Sequence, residues 1–330
     1  MALALPSIDV HLDAHDLHEQ LTEDARQGLI APEKWIPATW FYDEEGCRLF
    51  DEITELPEYY PTRTERSILA ERADAIAAAS GAATLVELGS GTSEKTGLLI
   101  DALERAGTLK QFVPFDVAGP TLSDALDRLA VSHPDLELHG VVGDFRRHLP
   151  QLLDASAGRA RMIAFLGGTI GNLNRTERHD FFTTMRDGMT TEDTLLIGTD
   201  LVKASERLVA AYDDAAGVTA AFDLNVLTVL NRELGGDIKP SDFTHKVVWN
   251  ELYGRIEMRL QARESLAFHL DELDLTVFFA DGEEMLTEIS CKFTPEQIED
   301  ELTTGGFDVV DAWTDPAADF RLTLARPCSV

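Results

Sequence analysis

Between residues 64 and 203, short apolar runs alternate with longer segments in which apolar residues recur every three or four positions. The segments with helical spacing include 93–106 and 176–189. Strands that alternate with helices are typical of parallel βαβ units. The pattern predicts an open parallel sheet with helices on both faces, whose strands are ATLVELG, QFVPFDV, LELHGVV, RMIAFLG and TLLIGTD.

The pattern changes after Lys203. One long helical stretch covers 204–234, and alternating apolar and polar residues then predict an antiparallel meander of HKVVWN, GRIEMRLQAR, LDLTVFF and EMLTEISCKF. TPEQ at 294–297 supplies an N-cap, a first-turn proline and a capping-box partner for a helix that ends at Gly305. Two last strands follow, FDVVDAW and FRLTLAR.

The sequence shows no internal repeat, low-complexity tract or polar linker between these regions. We therefore expect the second domain to be inserted into the first. The expected sheet domain comprises 64–203 plus 293–330, and the expected substrate-recognition domain comprises 1–63 plus 204–292. A substrate is expected between the two.

The charge balance narrows the classes of partner. The 330 residues include 59 acidic and 28 basic side chains, which give a formal net charge of -31. Such a surface repels a phosphate backbone and offers no basic patch to an anionic membrane. We expect neither nucleic acid nor a membrane as a partner, and the acidity itself is ordinary for a solvated surface.

The three cysteines are scattered without the spacing of a metal site. They indicate a reducing compartment and predict no bound metal. The N-terminal residues lack a basic leader, and Asp9 and Asp13 interrupt their apolar run. We expect a cytoplasmic protein. A monomer is the expected oligomeric state.

The most informative local motif is VELGSGTSEKT at 86–96, where an apolar strand runs into Gly89, Ser90 and Gly91. Glycine permits positive φ and close approach of a ligand, and a following helix offers free N–H groups. A lone G-x-G is also compatible with ordinary turn glycines. A dinucleotide fingerprint needs a third glycine where Glu94 stands. With the acidic Glu87 before it, the loop resembles the cofactor loop of class I S-adenosylmethionine-dependent methyltransferases.

Acidic residues also follow the next two strands. Asp116 ends FVPFDV, where its carboxylate can accept hydrogen bonds from ribose hydroxyls, and Asp144 with Phe145 can bind and cover an adenine. Taken singly, each Asp is equally explained as a helix cap or turn residue. Open α/β sheets bind ligands at the carboxyl ends of successive strands, so we predict a cofactor site there.

The fourth strand ends in FLGGTIGNL, residues 165–173, which is too polar and glycine-rich for a simple connection. In methyltransferases this position faces the transferred methyl group. The amide of Asn172 can hold a carboxylate through its N–H groups. The alternative is that Asn172 caps the helix that begins near Thr176.

Six segments together resemble the histidine Nα-methyltransferases of ergothioneine biosynthesis. They are WFYDEEGCRLFDEITELPEYYPTRTE, VELGSGTSEKT, FLGGTIGNL, IGTDLVK, AAYDDAAGVTAAFDLNVL and GEEMLTEISCKF. They extend from Trp40 to Phe293, and Gly168 and Ala210 are minor departures. The resemblance implies an α/β fold of the class I methyltransferase type, with a Rossmann-like sheet and an inserted α+β substrate-binding domain. It further implies S-adenosyl-L-methionine as cofactor and L-histidine as substrate, trimethylated to hercynine.

The same resemblance implies roles for individual residues. For the substrate these are Tyr42 and Tyr59 in the amino-acid pocket, Asn172 and Tyr212 on the carboxylate, Glu288 and Ser290 on the imidazole, Phe50 and Met258 as walls, and Gly167 and Thr169 near the amine. For the cofactor they are Gly89, Lys95, Asp116, Asp144 and Phe145, and the loop residues Glu87, Ser90 and Gly91 belong to the same predicted site.

Glu288 and Ser290 are two residues apart in a predicted strand, so their side chains leave the same face. A carboxylate and a hydroxyl on one face can bind both imidazole nitrogens. From the spacing alone, the polar outer face of a half-exposed strand is the simpler interpretation, and the resemblance reverses it. Met258 alternates with Ile256 and Leu260, which leaves core packing as an alternative to substrate contact.

Methyl transfer from a sulfonium needs neither a general acid nor a metal and depends mainly on positioning. The amine must lose a proton before it attacks. Our hypothesis for the catalytic group is that Tyr42 accepts a hydrogen bond from the amine, directly or through water.

Three other functions compete with this interpretation. Nicotinamide-dependent oxidation is disfavoured by Glu94, and a non-catalytic S-adenosylmethionine-binding module has no use for a polar amino-acid pocket. A tyrosine or tryptophan Nα-methyltransferase is the nearest rival. Glu288 argues against it, because an indole would leave a buried carboxylate poorly satisfied.

Overall fold

The computed structural model describes residues 6–93 and 95–328. Within these ranges the chain forms fourteen strands. In chain order they are β1 (Ser7–Val10), β2 (Lys34–Trp35), β3 (Thr84–Leu88), β4 (Gln111–Asp116), β5 (Glu137–Val142), β6 (Arg161–Phe165), β7 (Thr194–Asp200), β8 (Phe243–Asn250), β9 (Arg255–Ala262), β10 (Leu266–Leu270), β11 (Leu275–Phe279), β12 (Glu284–Cys291), β13 (Phe307–Thr314) and β14 (Phe320–Pro327).

The same ranges contain ten α-helices and four short 3₁₀ helices. The α-helices are α1 (Ala14–Leu29), α2 (Glu44–Glu55), α3 (Pro61–Ser80), α4 (Gly97–Arg105), α5 (Gly119–Ser132), α6 (Phe145–Ala155), α7 (Arg175–Gly188), α8 (Ser205–Ala210), α9 (Val218–Leu234) and α10 (Pro295–Thr304). The 3₁₀ helices are Ala38–Phe41, Thr169–Asn172, Pro240–Asp242 and Asp271–Leu273. None of the described helices has the combined length and hydropathy that a bilayer crossing requires.

The chain divides into two compact units. The first contains the described residues of Met1–Leu12, Pro61–Val202 and Lys292–Val330. The second contains Asp13–Tyr60 and Lys203–Cys291. The chain therefore leaves the first unit twice and returns to it twice.

The first unit is built on an eight-stranded sheet in the order β1-β5-β4-β3-β6-β7-β14-β13. The first six strands in this order, which end with β7, pair in parallel, whereas β14 is antiparallel to both β7 and β13. The sheet is thus mixed rather than wholly parallel, since the last two strands form a hairpin. Strand order reverses between β3 and β6, which is where open α/β sheets bind ligands.

One strand of this sheet departs from the expected domain boundaries. Residues 1–63 were expected in the substrate domain, but β1 pairs in parallel with β5 at the sheet edge. His139 on β5 reinforces this pairing, because its ring nitrogens bond Ser7 Oγ at 2.7 Å and Asp9 Oδ2 at 3.1 Å. A four-residue edge strand with an exposed Val10 carries little apolar periodicity of its own, so pairing decides its place.

The second unit combines a four-stranded sheet, β2-β12-β9-β8, with the separate hairpin β10-β11. Its core packs α9 against residues of these strands and of α1 and α2. The expected meander is therefore wrong in one respect: LDLTVFF pairs with β10 and not with β9 or β12. The predicted single helix over 204–234 is also interrupted, because Gly217 adopts a φ of 77° and Asp214 caps the new start at Val218 and Thr219.

Candidate active site

The loop after β3 is shaped by two glycines in the left-handed region, Gly89 at φ 68° and Gly91 at φ 49°. A Cβ atom at either position would meet nothing within 4 Å, so conformation rather than space requires glycine here. The loop is tied to the neighbouring strand because Gly89 N donates to Phe115 O at 2.9 Å and Gly91 N donates to Asp116 Oδ2 at 2.8 Å.

The helix after this loop begins later than expected, at Gly97 rather than near Ser93. Thr96 precedes it and is fully buried, and its hydroxyl donates to Glu87 Oε1. Glu94, on which the argument against a dinucleotide loop depended, lies outside the described residues. The glycine loop and the helix are thus separated by a short polar segment, in which Ser93 has a left-handed φ of 56°.

The loop contains buried polar atoms that fit a bound ligand. Glu87 Oε2 and Ser90 Oγ are buried and have no hydrogen-bond partner within the criteria for a hydrogen bond among the described residues. Leaving one such atom unsatisfied costs about 1–3 kcal/mol. Burial raises the pKa of Glu87 to about 8, against the opposing effects of Thr96 and Lys95. A ligand rich in donors and acceptors, such as the amino-acid part of S-adenosyl-L-methionine, suits this set of atoms.

Asp116 lies at the end of β4, beside the glycine loop. Its Oδ2 accepts from Gly91 N and its Oδ1 accepts from Ala118 N at 2.9 Å, and an ionised carboxylate offers about four acceptor sites in all. Burial raises the pKa of Asp116, although the hydrogen bonds from Ala118, Gly91 and Val117 lower it. The carboxylate is therefore held rigidly with acceptor capacity to spare.

Asp144 and Phe145 follow β5. Asp144 is the N-cap of α6, since its Oδ1 accepts from Arg146 N at 2.9 Å, while its own N–H donates to His148 Nδ1 at 3.1 Å. The Phe145 ring packs edge-on against Phe165 at a centroid distance of 5.3 Å. The capping role that a single Asp suggested is real, and one carboxylate oxygen serves it.

A buried glutamate that the sequence analysis missed joins two of the predicted positions. Glu65 on α3 is 0% exposed; its Oε2 forms an ion pair with Lys95, and its oxygens accept from Gly167 N at 2.8 and 2.9 Å. A Cβ atom at Gly198 would lie 2.2 Å from Glu65 Oε1, so that glycine makes room for the carboxylate. The available signal was a charged residue on the same helical stripe as Ile68 and Leu69.

The loop after β6 begins with two left-handed glycines, Gly167 at φ 76° and Gly168 at φ 70°, and continues into the 3₁₀ helix Thr169–Asn172. Thr169 Oγ1 donates to Leu166 O at 3.0 Å. The capping residue of α7 is Asn174, which forms a capping box with Glu177. The alternative role of Asn172 as a helix cap is therefore excluded.

In the second unit, aromatic rings connect four of the predicted substrate positions. Tyr42 contacts Phe50 at 5.7 Å between centroids, Phe50 contacts Tyr59 at 6.4 Å, and Tyr59 contacts Tyr212 at 6.1 Å, all nearly edge-on. Phe222 on α9, which the sequence analysis did not single out, packs against both Tyr42 and Phe50. Edge-to-face contacts of this kind hold the rings in defined orientations.

The strand register of the second unit brings the remaining predicted residues to one sheet face. Glu288 on β12 lies directly opposite Met258 on β9, and Ser290 lies opposite Ile256. Directly opposed residues of antiparallel strands share a face. Met258 is buried in the core, as the packing interpretation expected, and lies opposite Glu288, while its contact with a substrate stays a prediction. The Tyr212 hydroxyl bonds Ser290 Oγ at 2.8 Å, and both residues are buried.

These features define a class of protein. A sheet whose strand order reverses between β3 and β6, with a glycine loop after β3 and an acid at the end of β4, is that of a class I S-adenosylmethionine-dependent methyltransferase. The chain matches the family model described as histidine-specific methyltransferase, SAM-dependent, over residues 21–327, and it belongs to that family.

Similar proteins agree with this family over nearly the whole chain. The Histidine N-alpha-methyltransferase of Mycolicibacterium smegmatis is 51% identical over 319 residues, which cover 97% of this chain and 98% of that protein. The protein of the same name from Mycobacterium tuberculosis is 48% identical over the same shares. Ergothioneine biosynthesis protein 1 of Schizosaccharomyces pombe is 31% identical, and the match covers 86% of this chain and 38% of that longer protein.

Proposed function

We propose that this chain transfers three methyl groups in succession from S-adenosyl-L-methionine to the α-amino nitrogen of L-histidine. The product is hercynine, and the reaction is the first step of ergothioneine biosynthesis. The names of the relatives support this proposal, since two are histidine N-alpha-methyltransferases and a third is an ergothioneine biosynthesis protein. The single observation that carries the substrate assignment is the shared sheet face of Glu288 and Ser290, with Tyr212 bonded to Ser290.

The residues that would hold the cofactor come from the first unit. They are Glu87, Gly89, Ser90, Gly91, Lys95, Asp116, Asp144 and Phe145. When bound, S-adenosylmethionine supplies a methyl group on a sulfonium, whose departure leaves a neutral thioether. Glu65 fixes Lys95 and the Gly167 backbone together, so the cofactor loop and the loop after β6 share one rigid anchor.

The residues that would hold the amino acid have complementary chemistry. A carboxylate at Glu288 accepts from an imidazole N–H, and the Ser290 hydroxyl serves either ring nitrogen as donor or acceptor. Asn172 and Tyr212 offer an amide and a phenol to the substrate carboxylate. Gly167 and Thr169 would lie near the amine, while Phe50, Tyr59 and Met258 would be apolar walls.

The proton of the substrate amine must leave before the nitrogen can form a bond to carbon. Tyr42 packs against Phe50 and Phe222, which fixes its ring, and its hydroxyl oxygen would accept a hydrogen bond from the amine directly or through water. The nitrogen becomes a permanent cation at the third transfer. The faces of Tyr42, Phe50 and Tyr59 would stabilise that charge by up to about 2 kcal/mol when desolvated.

The test is mass spectrometry of the purified protein with S-adenosylmethionine and each of the twenty amino acids. We expect histidine to gain one, two and three methyl groups in sequence and the other amino acids to remain unmodified. Methylation of tyrosine or tryptophan in place of histidine would contradict the substrate assignment. Cofactor binding without turnover of any amino acid would identify a binding module instead.

The oligomeric state and the location in the cell also remain proposals. We propose a cytoplasmic location, because the cysteines are scattered without disulfide or metal spacing, and we propose that the protein is a monomer. Light scattering after size-exclusion chromatography tests the oligomeric state, and a mass twice that of one 36.4 kDa chain would contradict a monomer.

A further inference from the structure

A buried histidine in the second unit lies between two hydrogen-bond acceptors. His245 Nδ1 is 2.6 Å from Asp223 Oδ2, and its Nε2 is 2.9 Å from the main-chain carbonyl oxygen of Tyr212. The His245 side chain is 3% exposed and that of Asp223 is 0% exposed. Neither residue belongs to the predicted substrate or cofactor set.

The proton count of this pair follows from its geometry. A neutral imidazole has one N–H and cannot donate to both a carbonyl and a carboxylate. The other Asp223 oxygen, Oδ1, is buried without a hydrogen-bond partner among the described residues, so the carboxylate depends on His245 for its charge compensation. A neutral imidazole beside an ionised carboxylate holds one proton, on one ring nitrogen. The hydrogen bonds to Asp223 and to the Tyr212 carbonyl form together only if the pair holds a second proton.

The surrounding charges favour an imidazolium. Burial lowers the pKa of His245, but Asp223 on α9, the Tyr212 carbonyl and Asp213 together raise it by more than burial lowers it. The pKa of His245 therefore lies above its ordinary value. The cross-strand partner of His245 on β9 is the apolar Leu260. The raised pKa of His245 places the shared proton on the imidazole.

The pair connects directly to a predicted substrate residue. Tyr212 lies in the turn between α8 and α9, and its hydroxyl bonds Ser290 Oγ at 2.8 Å. His245 therefore holds the main chain of this turn from β8, while Asp223 holds His245 from α9. Displacement of the Tyr212 backbone would move its hydroxyl away from Ser290.

We propose that Asp223 and His245 are positioning residues, whose buried ion pair holds Tyr212 in place and thereby sets the affinity for the amino-acid substrate. This inference rests on the proposed function only for the role of Tyr212 toward histidine. The pair acts through the Tyr212 backbone and touches neither substrate nor cofactor in the reaction.

The first test is ¹⁵N NMR of the imidazole groups in the free protein at about pH 7.5, roughly one unit above the ordinary histidine pKa. We expect His245 to carry protons on both ring nitrogens, with its signals assigned by their loss in His245→Phe. A neutral imidazole with a single N–H at this pH would overturn the inference. This measurement needs neither substrate nor turnover.

The second test is steady-state kinetics of His245→Phe, with His269→Phe as the matched control in the same unit. Loss of a hydrogen bond to a charged group lowers affinity about tenfold or more. We expect the KM for histidine to rise by that factor in His245→Phe, with kcat changed less and the KM for S-adenosylmethionine unchanged. His269→Phe should resemble the wild type, because His269 lies in the separate β10-β11 hairpin.

The isosteric variant Asp223→Asn provides a pH signature that a purely structural role would not produce. Its amide can donate to Nδ1 while Nε2–H still donates to Tyr212, so a neutral ring satisfies both contacts. In the wild type the contacts are complete below the raised pKa of His245 and are lost as pH rises through it. The ratio of wild-type to Asp223→Asn KM for histidine should therefore increase with pH, and a constant ratio would overturn the inference.

Tyr212→Phe separates this inference from the proposed function. If Tyr212→Phe raises the KM for histidine and His245→Phe does not, the positioning role is wrong while the substrate role of Tyr212 stands. If Tyr212→Phe leaves the KM unchanged, both the substrate role of Tyr212 and the positioning role are wrong.

Discussion

Glu65, Glu87 and Asp223 are carboxylates on three different elements, and each is at most 3% exposed. A buried carboxylate is costly unless it is paired or hydrogen-bonded. Lys95 pairs with Glu65, Thr96 donates to Glu87, and His245 pairs with Asp223. At the scale of single residues, each of these buried carboxylates therefore has one specific polar or charged partner.

Glu288 is the residue on which substrate selectivity should depend most. Its replacement by alanine removes a hydrogen bond to a charged group, worth roughly 1.5–3 kcal/mol, so kcat/KM for histidine should fall about ten- to more than hundredfold. Discrimination against phenylalanine and tryptophan should relax, because the carboxylate that rejected apolar rings is gone. Kinetics with the three amino acids measure this, and Met258→Trp, which narrows the space beside the ring, tests whether Met258 faces the substrate.

The control for this variant is Glu284→Ala. Glu284 lies on the same strand but pairs with Lys246 and Arg259, so its loss should leave histidine turnover within a few-fold of the wild type. Cofactor affinity should be unchanged in both variants. If Glu288→Ala keeps the histidine preference, Glu288 does not bind the imidazole.

Glu87 should make the stability of the free protein depend on pH. Its pKa rises from 4.5 to about 8 on folding because of burial. As pH rises, the Glu87 carboxyl therefore ionises in the unfolded chain before it ionises in the folded protein. The contribution of Glu87 to the free energy of unfolding is fully present below pH 4.5 and is lost as the pH rises toward 8. Glu87→Gln keeps an acceptor for Thr96 and cannot ionise.

We therefore expect the free energy of unfolding of Glu87→Gln, relative to the wild type, to increase steadily across this window. Urea denaturation at a series of pH values measures the difference, to which titrating groups that do not interact with Glu87 contribute equally in both proteins. Two curves that run parallel with pH would show that Glu87 is ionised in the folded protein.

At the scale of elements, Asn172 and Asn174 lie two positions apart after β6 but differ in their place relative to α7. The 3₁₀ helix Thr169–Asn172 ends just before α7, and Asn174 is the N-cap with Glu177 as its capping-box partner. An N-cap satisfies backbone N–H groups that the helix itself leaves unpaired. Asn172 does not serve as this cap.

The variants Asn172→Ala and Asn174→Ala should thus change different properties, the KM for histidine in the first and the stability in the second. Asn174→Ala should cost about 0.5–2 kcal/mol of stability and leave the KM for histidine unchanged. Asn172→Ala should raise that KM about tenfold, since it would remove a hydrogen bond to the substrate carboxylate. Thermal unfolding and steady-state kinetics on both proteins distinguish these outcomes, and the reverse pattern would contradict the substrate role of Asn172.

At the scale of the whole molecule, the formal net charge of -31 imposes repulsion among like charges. Salt shortens the range of that repulsion from about 10 Å at 0.1 M to about 3 Å at 1 M. We expect the free energy of unfolding at neutral pH to increase with NaCl concentration. The same titration near the sequence pI of 4.5 is the control, because the net charge vanishes there. A decrease with salt at neutral pH would mean that the ion pairs outweigh the net repulsion.

Much of the first unit could be predicted because its central strands are buried on both faces. β3 and β6 are apolar runs in which every residue is buried, and such runs are distinctive in a sequence. The capping box at Thr294 was predictable for a local reason, since its partner Gln297 is three residues away. β1 and β10 were missed, because short edge and hairpin strands depend on their partners rather than on their own pattern.

The cofactor loop and the shared strand face of Glu288 and Ser290 could be inferred from the sequence because each depends on residues a few positions apart, and the family resemblance rests on six such local segments. The partners of the buried charges, in contrast, follow only from the packed fold. Glu65 reaches Gly167 across 102 residues, and His245 reaches Asp223 across 22. No periodicity encodes such pairs, since a buried polar side chain finds its partner only when separate elements pack together.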